Sequence, residues 1–461
     1  MGYLHREIVL PIALLIVAAN CYSQTPGNAQ AAPTAQAPER WNLFYQATSI
    51  GQNHGSFPSL YEGPNSLSPH PENRVSLTTS LFFGLRLASN TQLYFDPEVS
   101  GGKGFSNVTG IANFPNGEIP RVETAVPKPY VARLYVTQDF GFGSEKERFS
   151  SAENQLAGER PLIRYSVTVG RFTVTDFFDY NRYSHEPRTQ FMGWAVMYNG
   201  AWDYPADVRG YTWGWVHEFH ARNWSVRYGS AAEPRFANGL RLDRRLLRNR
   251  GDLFEGEVRY NLRDHPGVVR LLGFLHHTNS GTYADAIRLG ERTGTVPDIT
   301  ATRRNGTLKY GSGLNFEQEI TKDFGVFGRL GWNDGKTQSF AFTAIDRLAS
   351  FGVSTTGTRW NRKDDTAGSA FTVSGLSGVH ALYLARGGLD FIIGDGALRY
   401  GTEQVWESYY SARLIDGFFT TIDVQRIVNP AYNQDRGPLW VASLRLHLEL
   451  NKDRFSKRAR P

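Results

Sequence analysis

The chain has 461 residues, with 50 Lys and Arg against 44 Asp and Glu, a net charge of +6 and one cysteine. A lone cysteine excludes a disulfide scaffold and a cysteine-based metal site. The positive charge alone would favour an anionic partner, but the basic runs are short. The densest run, Arg241 to Arg250, is interpreted as a solvated loop, and no nucleic-acid partner is predicted.

Residues 1–23 have the layout of a cleaved secretory signal peptide, so the protein is predicted to be exported. The apolar stretch Ile8 to Ala19 is shorter than the roughly 20 residues of a transmembrane helix. Cys21 leaves lipid attachment open as an alternative, although Asn20 before it fits such a signal poorly. Residues 24–40, rich in Ala, Pro and Gln, predict a flexible N-terminal segment.

From Trp41 onward, apolar and polar residues alternate with period two over segments of roughly ten residues, the spacing of membrane-spanning strands. The segment from Arg74 to Leu87 shows this alternation, and the segments from Phe254 to Leu262 and from Leu308 to Glu317 repeat it. The last segment, Trp440 to Leu450, shows it best. The mature chain contains no apolar run long enough for a transmembrane helix, which excludes a helical membrane protein.

Alternation by itself also fits a soluble β-sandwich. The export signal and the aromatic content of 13% favour a barrel, because Trp213, Trp224 and Trp332 lie near the ends of apolar faces, where interfacial girdles occur. The predicted fold class is all-β, a transmembrane antiparallel β-barrel of about 16 strands, porin-like and located in the outer membrane. The barrel is predicted over residues 41–450, followed by a basic C-terminal tail over 451–461.

Two longer connections, Gly101 to Lys128 and Arg171 to Asp207, are predicted to be external loops. Turn residues such as Asn116-Gly117 and Gly394-Asp395-Gly396 separate other strands. One of the two longer loops is expected to fold into the lumen, where it would narrow the pore.

If the apolar faces meet lipid, the polar faces of the strands line the channel. The predicted pore-lining residues are Arg74, Arg86, Arg133, Tyr135, Arg227, Glu257, Arg259, Lys309, Arg329, Asp423 and Arg445. A wall with both signs of charge suits neutral polyhydroxylated solutes, because guanidinium and carboxylate groups replace water in hydrogen bonds to hydroxyls. Arg86, Arg133 and Arg329 are predicted to tune solute selectivity. The alternative, in which the charges pair with one another and stiffen the wall, stays open.

Enzymatic chemistry has little support in the sequence. No G-x-S-x-G element is present, and no catalytic residue is predicted. His217 and His220, with Glu218 between them, would face opposite sides of a strand, so no metal site is predicted there. Phosphate loops and dinucleotide fingerprints are absent, and no cofactor is predicted.

Several segments resemble the carbohydrate-selective OprB-type porin family. They are residues 327–347, 376–410 and 422–450, together with VGRFTVTDFFDYNRY at 169–183 and the QFMGWA stretch that follows. The resemblance implies a sixteen-stranded outer-membrane barrel that passes monosaccharides by diffusion, with arginines and aromatics at a constriction. The chain departs from outer-membrane barrels in general where Leu450 is followed by a basic tail instead of a terminal aromatic residue.

The function favoured by these patterns is passive, carbohydrate-selective diffusion of monosaccharides such as glucose. The alternatives are a general or organic-acid porin, a pore for an exported polysaccharide, a barrel enzyme acting on lipid, and a purely structural surface protein. The expected partners are small neutral sugars as solutes, outer-membrane lipid and the barrel-assembly machinery. Two oligomeric states, a monomer and a homotrimer, remain open.

Overall fold

The computed structural model describes residues 38–119, 125–341 and 344–451. Over these residues, sixteen strands form one closed antiparallel barrel, in which each strand pairs with its sequence neighbours and β1 pairs with β16. The strands are β1 Trp41–His54, β2 Glu72–Ala88, β3 Thr91–Gly102, β4 Lys128–Phe149, β5 Gly158–Phe172, β6 Thr212–His220, β7 Trp224–Ala232, β8 Arg250–Leu262, β9 His265–Ser280, β10 Arg304–Thr321, β11 Phe324–Asn333, β12 Arg347–Gly357, β13 Arg362–Gly375, β14 Glu403–Ile415, β15 Phe418–Val428 and β16 Leu439–Asn451.

The predicted all-β barrel is thus confirmed. The predicted signal peptide, 1–23, lies outside the described residues, as do residues 24–37 of the predicted flexible segment and residues 452–461 of the predicted tail. Asn451, the first residue of that tail, is the last residue of β16.

The strands form because their two faces meet different surroundings. In β2, Val75 and Leu77 point outward and are exposed, whereas Ser76 and Thr78 point into the lumen and are buried. In β16, Leu444 is exposed on the outer face beside the lumenal Arg445. An outer face of this kind is stable only in a hydrocarbon environment, where the closed ladder leaves no backbone group unpaired.

The two ends of the barrel differ in the length of their connections. Short turns join the strands at one end, which is the periplasmic end in barrels of this class. At the opposite, extracellular end the loops are L1 (55–71), L2 (103–127), L3 (173–211), L4 (233–249), L5 (281–303), L6 (334–346), L7 (376–402) and L8 (429–438). The two predicted long loops correspond to L2 and L3, and the described residues of both fold into the lumen.

Helices occur within the loops and in the periplasmic turn between β12 and β13, and the sequence analysis predicted none of them. Among the described residues, these are the α-helices α1 Trp194–Met197, α2 Tyr283–Thr293 and α3 Gly378–Ala385, and the 3-10 helices Phe105–Asn107, Val174–Asp176, Ile299–Thr302, Thr358–Trp360 and Pro430–Tyr432. The Thr282 side chain caps α2 by accepting from the Asp285 amide, and Gly294 ends it at φ 66°. Over the same residues, no helix is long and apolar enough to cross a bilayer.

The main hydrophobic core lies inside the extracellular half of the barrel. L3 contributes Phe178, Trp194 and Trp202, which are buried together with Ile345 of L6 and Tyr383 of α3. An ordinary porin wall has a polar interior, so this apolar cluster marks where the loops pack inside the lumen. A wide open space remains on the other side, along β1 to β6.

Candidate permeation pathway

L3 crosses the lumen and is fixed to the far wall by Arg329 of β11. The Arg329 Nε donates to Asp179 Oδ2 at 3.0 Å, and its Nη1 donates to Ser184 Oγ at 2.6 Å and to the Val196 carbonyl at 2.8 Å. The side chain of Arg329 is fully buried. Charge-assisted hydrogen bonds of this kind to several positions along a loop hold its backbone in one position.

Two other wall residues hold the middle of L3 by its main chain. Glu407 of β14 accepts from the amides of Met192 at 2.5 Å and Gly193 at 3.0 Å. Arg445 of β16 donates to the carbonyls of Pro187 and Gln190, both at 2.7 Å. The loop's backbone polar groups, which would otherwise be buried without partners, are thereby satisfied by charged groups of the wall.

L2 is held beside L3 in the same way. Glu403 of β14 accepts from the amides of Ala112 at 3.0 Å and Asn113 at 2.6 Å. The ring of Phe114 stacks on Trp194 of L3 at a centroid distance of 4.8 Å. The two loops therefore form one packed body, and open space remains beside it on the side of β1 to β6.

Two cavities remain on that side. The narrow cavity, of about 140 Å³, lies toward the extracellular end, between the β2–β4 wall and the inner faces of L2 and L3. The wide cavity, of about 590 Å³, extends down to the periplasmic turn that joins β4 to β5. Phe82, Arg133 and Glu186 line both cavities, so the two spaces meet at these residues. The joined cavities form a continuous candidate path for a small solute.

The charges of the narrow cavity are balanced. Among the described residues, its lining contains three carboxylates and three guanidiniums: Glu98, Glu118, Glu186, Arg133, Arg188 and Arg209. Arg188 bridges two of the acids, with Nη2 2.9 Å from Glu98 Oε2 and Nε 2.7 Å from Glu118 Oε1. Paired charges of both signs present many hydrogen-bonding atoms and little net field, an environment that suits a neutral polar solute.

Arg133 occupies the junction of the two cavities. Its Nε and Nη2 donate to the two carboxylate oxygens of Asp176 at 2.7 Å and 2.6 Å, and its Nη1 lies 3.4 Å from Asp96 Oδ2. Its guanidinium carbon also lies 5.5 Å from the ring centroid of Tyr211. A bidentate pair fixes the plane of the guanidinium, so Arg133 offers its donors to the path in a defined direction.

Aromatic rings accompany the charges along the path. Tyr94 and Tyr135 face each other at 5.2 Å in the wall of the wide cavity, and Phe177 approaches Tyr135 edge-on at 6.2 Å. Trp194 and Tyr198 line the narrow cavity. Flat apolar surfaces beside hydrogen-bonding groups match the two kinds of surface that a sugar ring presents.

Glu118 of L2 lines the narrow cavity, and the pKa of its carboxyl is shifted. Burial raises the pKa of Glu118 to about 7, with Glu186 and Glu98 acting in the same direction and Arg188 against it. Below that pH the carboxyl holds a proton and the balance of charge in the cavity becomes positive.

Of the eleven residues predicted to line the pore, two line the joined cavities: Arg133 and Tyr135. Arg329, Arg445 and Lys309 instead fix L3, the last through a contact of 2.8 Å between its Nζ and Asp203 Oδ2. Arg133 and Tyr135 therefore remain the predicted pore-lining residues.

Arg227, Glu257 and Arg259 lie together in the wall. Arg227 is 2.8 Å from Glu255 and 3.2 Å from Glu257, which also pairs with Arg259. This network matches the alternative that the sequence left open, in which charges stiffen the wall.

The remaining three predicted residues lie apart from the path. Arg74 pairs with Glu72 at the extracellular end of β2, at 2.5 Å. Arg86, near the periplasmic end, donates to the carbonyls of Glu39 at 2.9 Å and Ala157 at 3.0 Å. Asp423 is fully buried in the wall, where it accepts from Gln425 at 3.2 Å.

The sequence analysis missed most residues of the narrow cavity. Glu118, Glu186 and Arg188 lie on L2 and L3, where no period relates a residue to a face. Phe82 lies on the lumenal face of β2, where the alternation predicts a polar residue. That break in the alternation was a signal that the sequence offered, since an apolar residue among lumenal Ser and Thr positions marks a site that differs from the rest of the wall.

Comparisons with known proteins identify the family and the fold. The model of the carbohydrate-selective porin, OprB family, matches residues 72–450. The high-pH structure of Pseudomonas putida OprB is similar with a TM-score of 0.66 and 15% identity, over 89% of this chain and 94% of that chain. Pseudomonas aeruginosa OccK2 (OpdF) is similar with a TM-score of 0.45 and 10% identity, over 89% and 98%. No curated protein sequence matches the chain.

Proposed function

We propose that small neutral sugars such as glucose diffuse passively through the joined narrow and wide cavities, because this chain belongs to the OprB family of carbohydrate-selective porins. The protein is an outer-membrane porin of that family, and its fold is that of a porin channel. The route through the lumen and the residues that select the solute are the parts proposed. No catalytic residue, metal or cofactor enters the proposal.

The observation that carries the proposal is the balance of three carboxylates and three guanidiniums in the narrow cavity. A dicarboxylate or a metal cation gains little attraction there and loses part of its hydration. A sugar loses water as well, but its hydroxyls both donate and accept, so each lost water hydrogen bond can be replaced by Glu or Arg. Neutral polyhydroxylated solutes are therefore favoured over ions of similar size.

Arg133 and Tyr135 are the residues to which we assign direct contact with the solute. Arg133 lies at the junction where every solute must pass, and Tyr135 presents its ring just below it. The guanidinium donates to sugar hydroxyls, and the ring packs against the apolar face of the sugar.

The test is solute entry into liposomes that contain the purified protein, measured at about pH 8 so that Glu118 is ionised. Glucose is expected to enter faster than succinate, although this dicarboxylate is the smaller solute, and added sugar should slow glucose entry. Replacing Arg133→Gln should reduce glucose entry by about two- to tenfold, the effect of losing one hydrogen-bonding group.

Arg86→Gln is the matched control. It removes the same charge from the lumenal face of the barrel, but outside both cavities. Its glucose entry should equal that of the unaltered protein. Equal entry of glucose and succinate would support a general porin instead. Equal loss of glucose entry in both variants would show that Arg133 does not lie on the path.

A further inference from the structure

A third cavity lies outside the barrel, on its lipid-facing wall. It has a volume of about 840 Å³ and is bounded by the extracellular ends of β5 and β6 and by L4. Val169 and Trp213 form part of its floor, and both point outward with about half of their surface exposed, 55% and 50%. Residues in this position face hydrocarbon near the outer membrane–water interface, so the floor of the cavity is in contact with lipid.

The other side of the cavity is formed by the most basic stretch of the chain. L4 contributes Arg235, Arg241 and Arg244 to the lining. The loop is held in place by main-chain hydrogen bonds, from Arg235 N to Arg241 O at 2.9 Å and from Val208 N to Gly239 O at 3.1 Å. The arginines are thus presented by a defined hairpin.

These three arginines differ from their neighbours in having no acidic partner. Arg245 pairs with Asp243 at 2.6 Å, and Arg171 pairs with Asp207 at 2.7 Å, so both carboxylates that line the cavity are already neutralised. In the part of the chain that the structure describes, Arg235, Arg241 and Arg244 form no ion pair. The cavity therefore has excess positive charge next to an apolar floor.

We propose that this external cavity binds a phosphorylated, acylated glycolipid of the outer leaflet. Guanidinium groups bind phosphate with paired, charge-assisted hydrogen bonds. The acyl chains of the same lipid lie along Val169 and Trp213, below the arginines. Basic side chains at the membrane surface next to an apolar, lipid-exposed face are the arrangement that anionic lipid head groups require.

L4 has a second feature that fits a lipid partner. Leu247 is 94% exposed, and Leu246 lines the cavity beside Arg244. Exposed leucines between arginines are costly in water but stable at the boundary between head groups and acyl chains. The loop therefore contributes apolar contact as well as charge to the bound lipid.

The experiment is native mass spectrometry of the purified protein in detergent, with bisphosphorylated lipid A as the probe. The unaltered protein is expected to retain lipid A and to bind dephosphorylated lipid A at least about tenfold more weakly, because the charge-assisted contacts are lost. The triple variant Arg235→Gln, Arg241→Gln, Arg244→Gln should lose lipid A to a similar extent, with unchanged glucose entry in liposomes.

The control variant Arg288→Gln, Arg292→Gln, Arg304→Gln removes three charges from the same end of the barrel, outside the cavity. It should bind lipid A as the unaltered protein does. Equal loss of lipid A binding in the two variants would mean that removing any three positive charges has this effect, and it would overturn the site. Displacement of lipid A by inorganic phosphate alone would mean that the arginines bind free phosphate. A change of oligomeric state in the first variant would mean that this face contacts another copy of the chain.

Discussion

Glu118 lies in the narrow cavity with Oε1 2.7 Å from the Nε of Arg188. Because burial raises the pKa of this carboxyl to about 7, it exchanges its proton near neutral pH. When Glu118 is protonated, the cavity contains two charged carboxylates and three guanidiniums. Above the pKa of Glu118 all three carboxylates are charged, so the negative and positive charges are equal in number. Protonation of Glu118 therefore makes the charge of the narrow cavity more positive, which favours the entry of anions.

We expect single channels in planar bilayers to become more anion-selective when the pH falls from about 8 to about 6, on either side of this pKa. The measurement is the reversal potential in a KCl gradient. Glu118→Gln should show a smaller change of reversal potential with pH than the unaltered protein, since its amide is always neutral while Glu153 of the wide cavity, whose pKa burial also raises to about 7, still titrates. A reversal potential that does not change with pH in the unaltered protein would contradict the assignment.

At the scale of elements, a buried histidine joins three extracellular loops. His380 of α3 lies between Asp346 of L6, at 3.0 Å, and Asp390 of L7, at 3.3 Å. Tyr283 of α2 donates to Asp390 at 2.9 Å and stacks on the imidazole at 4.1 Å. Burial alone would lower the pKa of His380, but Asp346 and Asp390 outweigh it and raise the pKa to about 9.

The raised pKa makes the stability of this cluster depend on pH. A histidine whose pKa is higher in the folded state stabilises it fully below about 6.5, and this contribution is lost as the pH rises through about 9. The contribution is on the order of 1–3 kcal/mol. Hydrogen exchange of the α2 and α3 amides, corrected for intrinsic rates, should therefore show falling protection between about pH 7 and about pH 10.

His380→Gln should lower that protection already at about pH 7 and leave it independent of pH, whereas His70→Gln, at an exposed histidine of L1, should behave as the unaltered protein. Equal protection of α2 and α3 in the two variants would show that the ion pairs do not hold the loops together.

The strands were predictable from the sequence, and the inward path of the loops was not. Lipid on one side and a polar lumen on the other impose a period of two, which β2 and β16 show directly. The caps of α2, Thr282 and Gly294, could also have been read from the sequence. L3 is different, since its position depends on Arg329, which is 150 residues away from Asp179 in the chain and carries no local signal.

At the scale of the whole molecule, the size of the pore depends on how firmly L3 is held across the lumen. Replacing Arg329→Met leaves Asp179 buried without its cation, which costs about 3–5 kcal/mol. We expect L3 to detach from β11, and single-channel conductance to rise and become noisier.

Arg74→Gln is the control for this change, because it removes one positive charge away from L3, and the partner carboxylate of Glu72 keeps its hydrogen bonds from the amide and hydroxyl of Ser106. Its conductance should be unchanged. Both variants should keep the anomalous electrophoretic mobility of a folded barrel, which separates release of the loop from loss of the fold. Equal conductance in the two variants would contradict the role of Arg329 as the anchor of L3.

The bonds that place L3 also order the events of biogenesis. Arg445, which holds the carbonyl of Pro187, is 258 residues further along the chain, and Glu407, which holds the amide of Met192, is 215 residues further along. Contacts between such distant parts of a chain form late, because the entropy of closing the intervening loop must be overcome first. The barrel closes only when β16 pairs with β1, so L3 reaches its final position, and the path beside it its final shape, only after the last strands have joined.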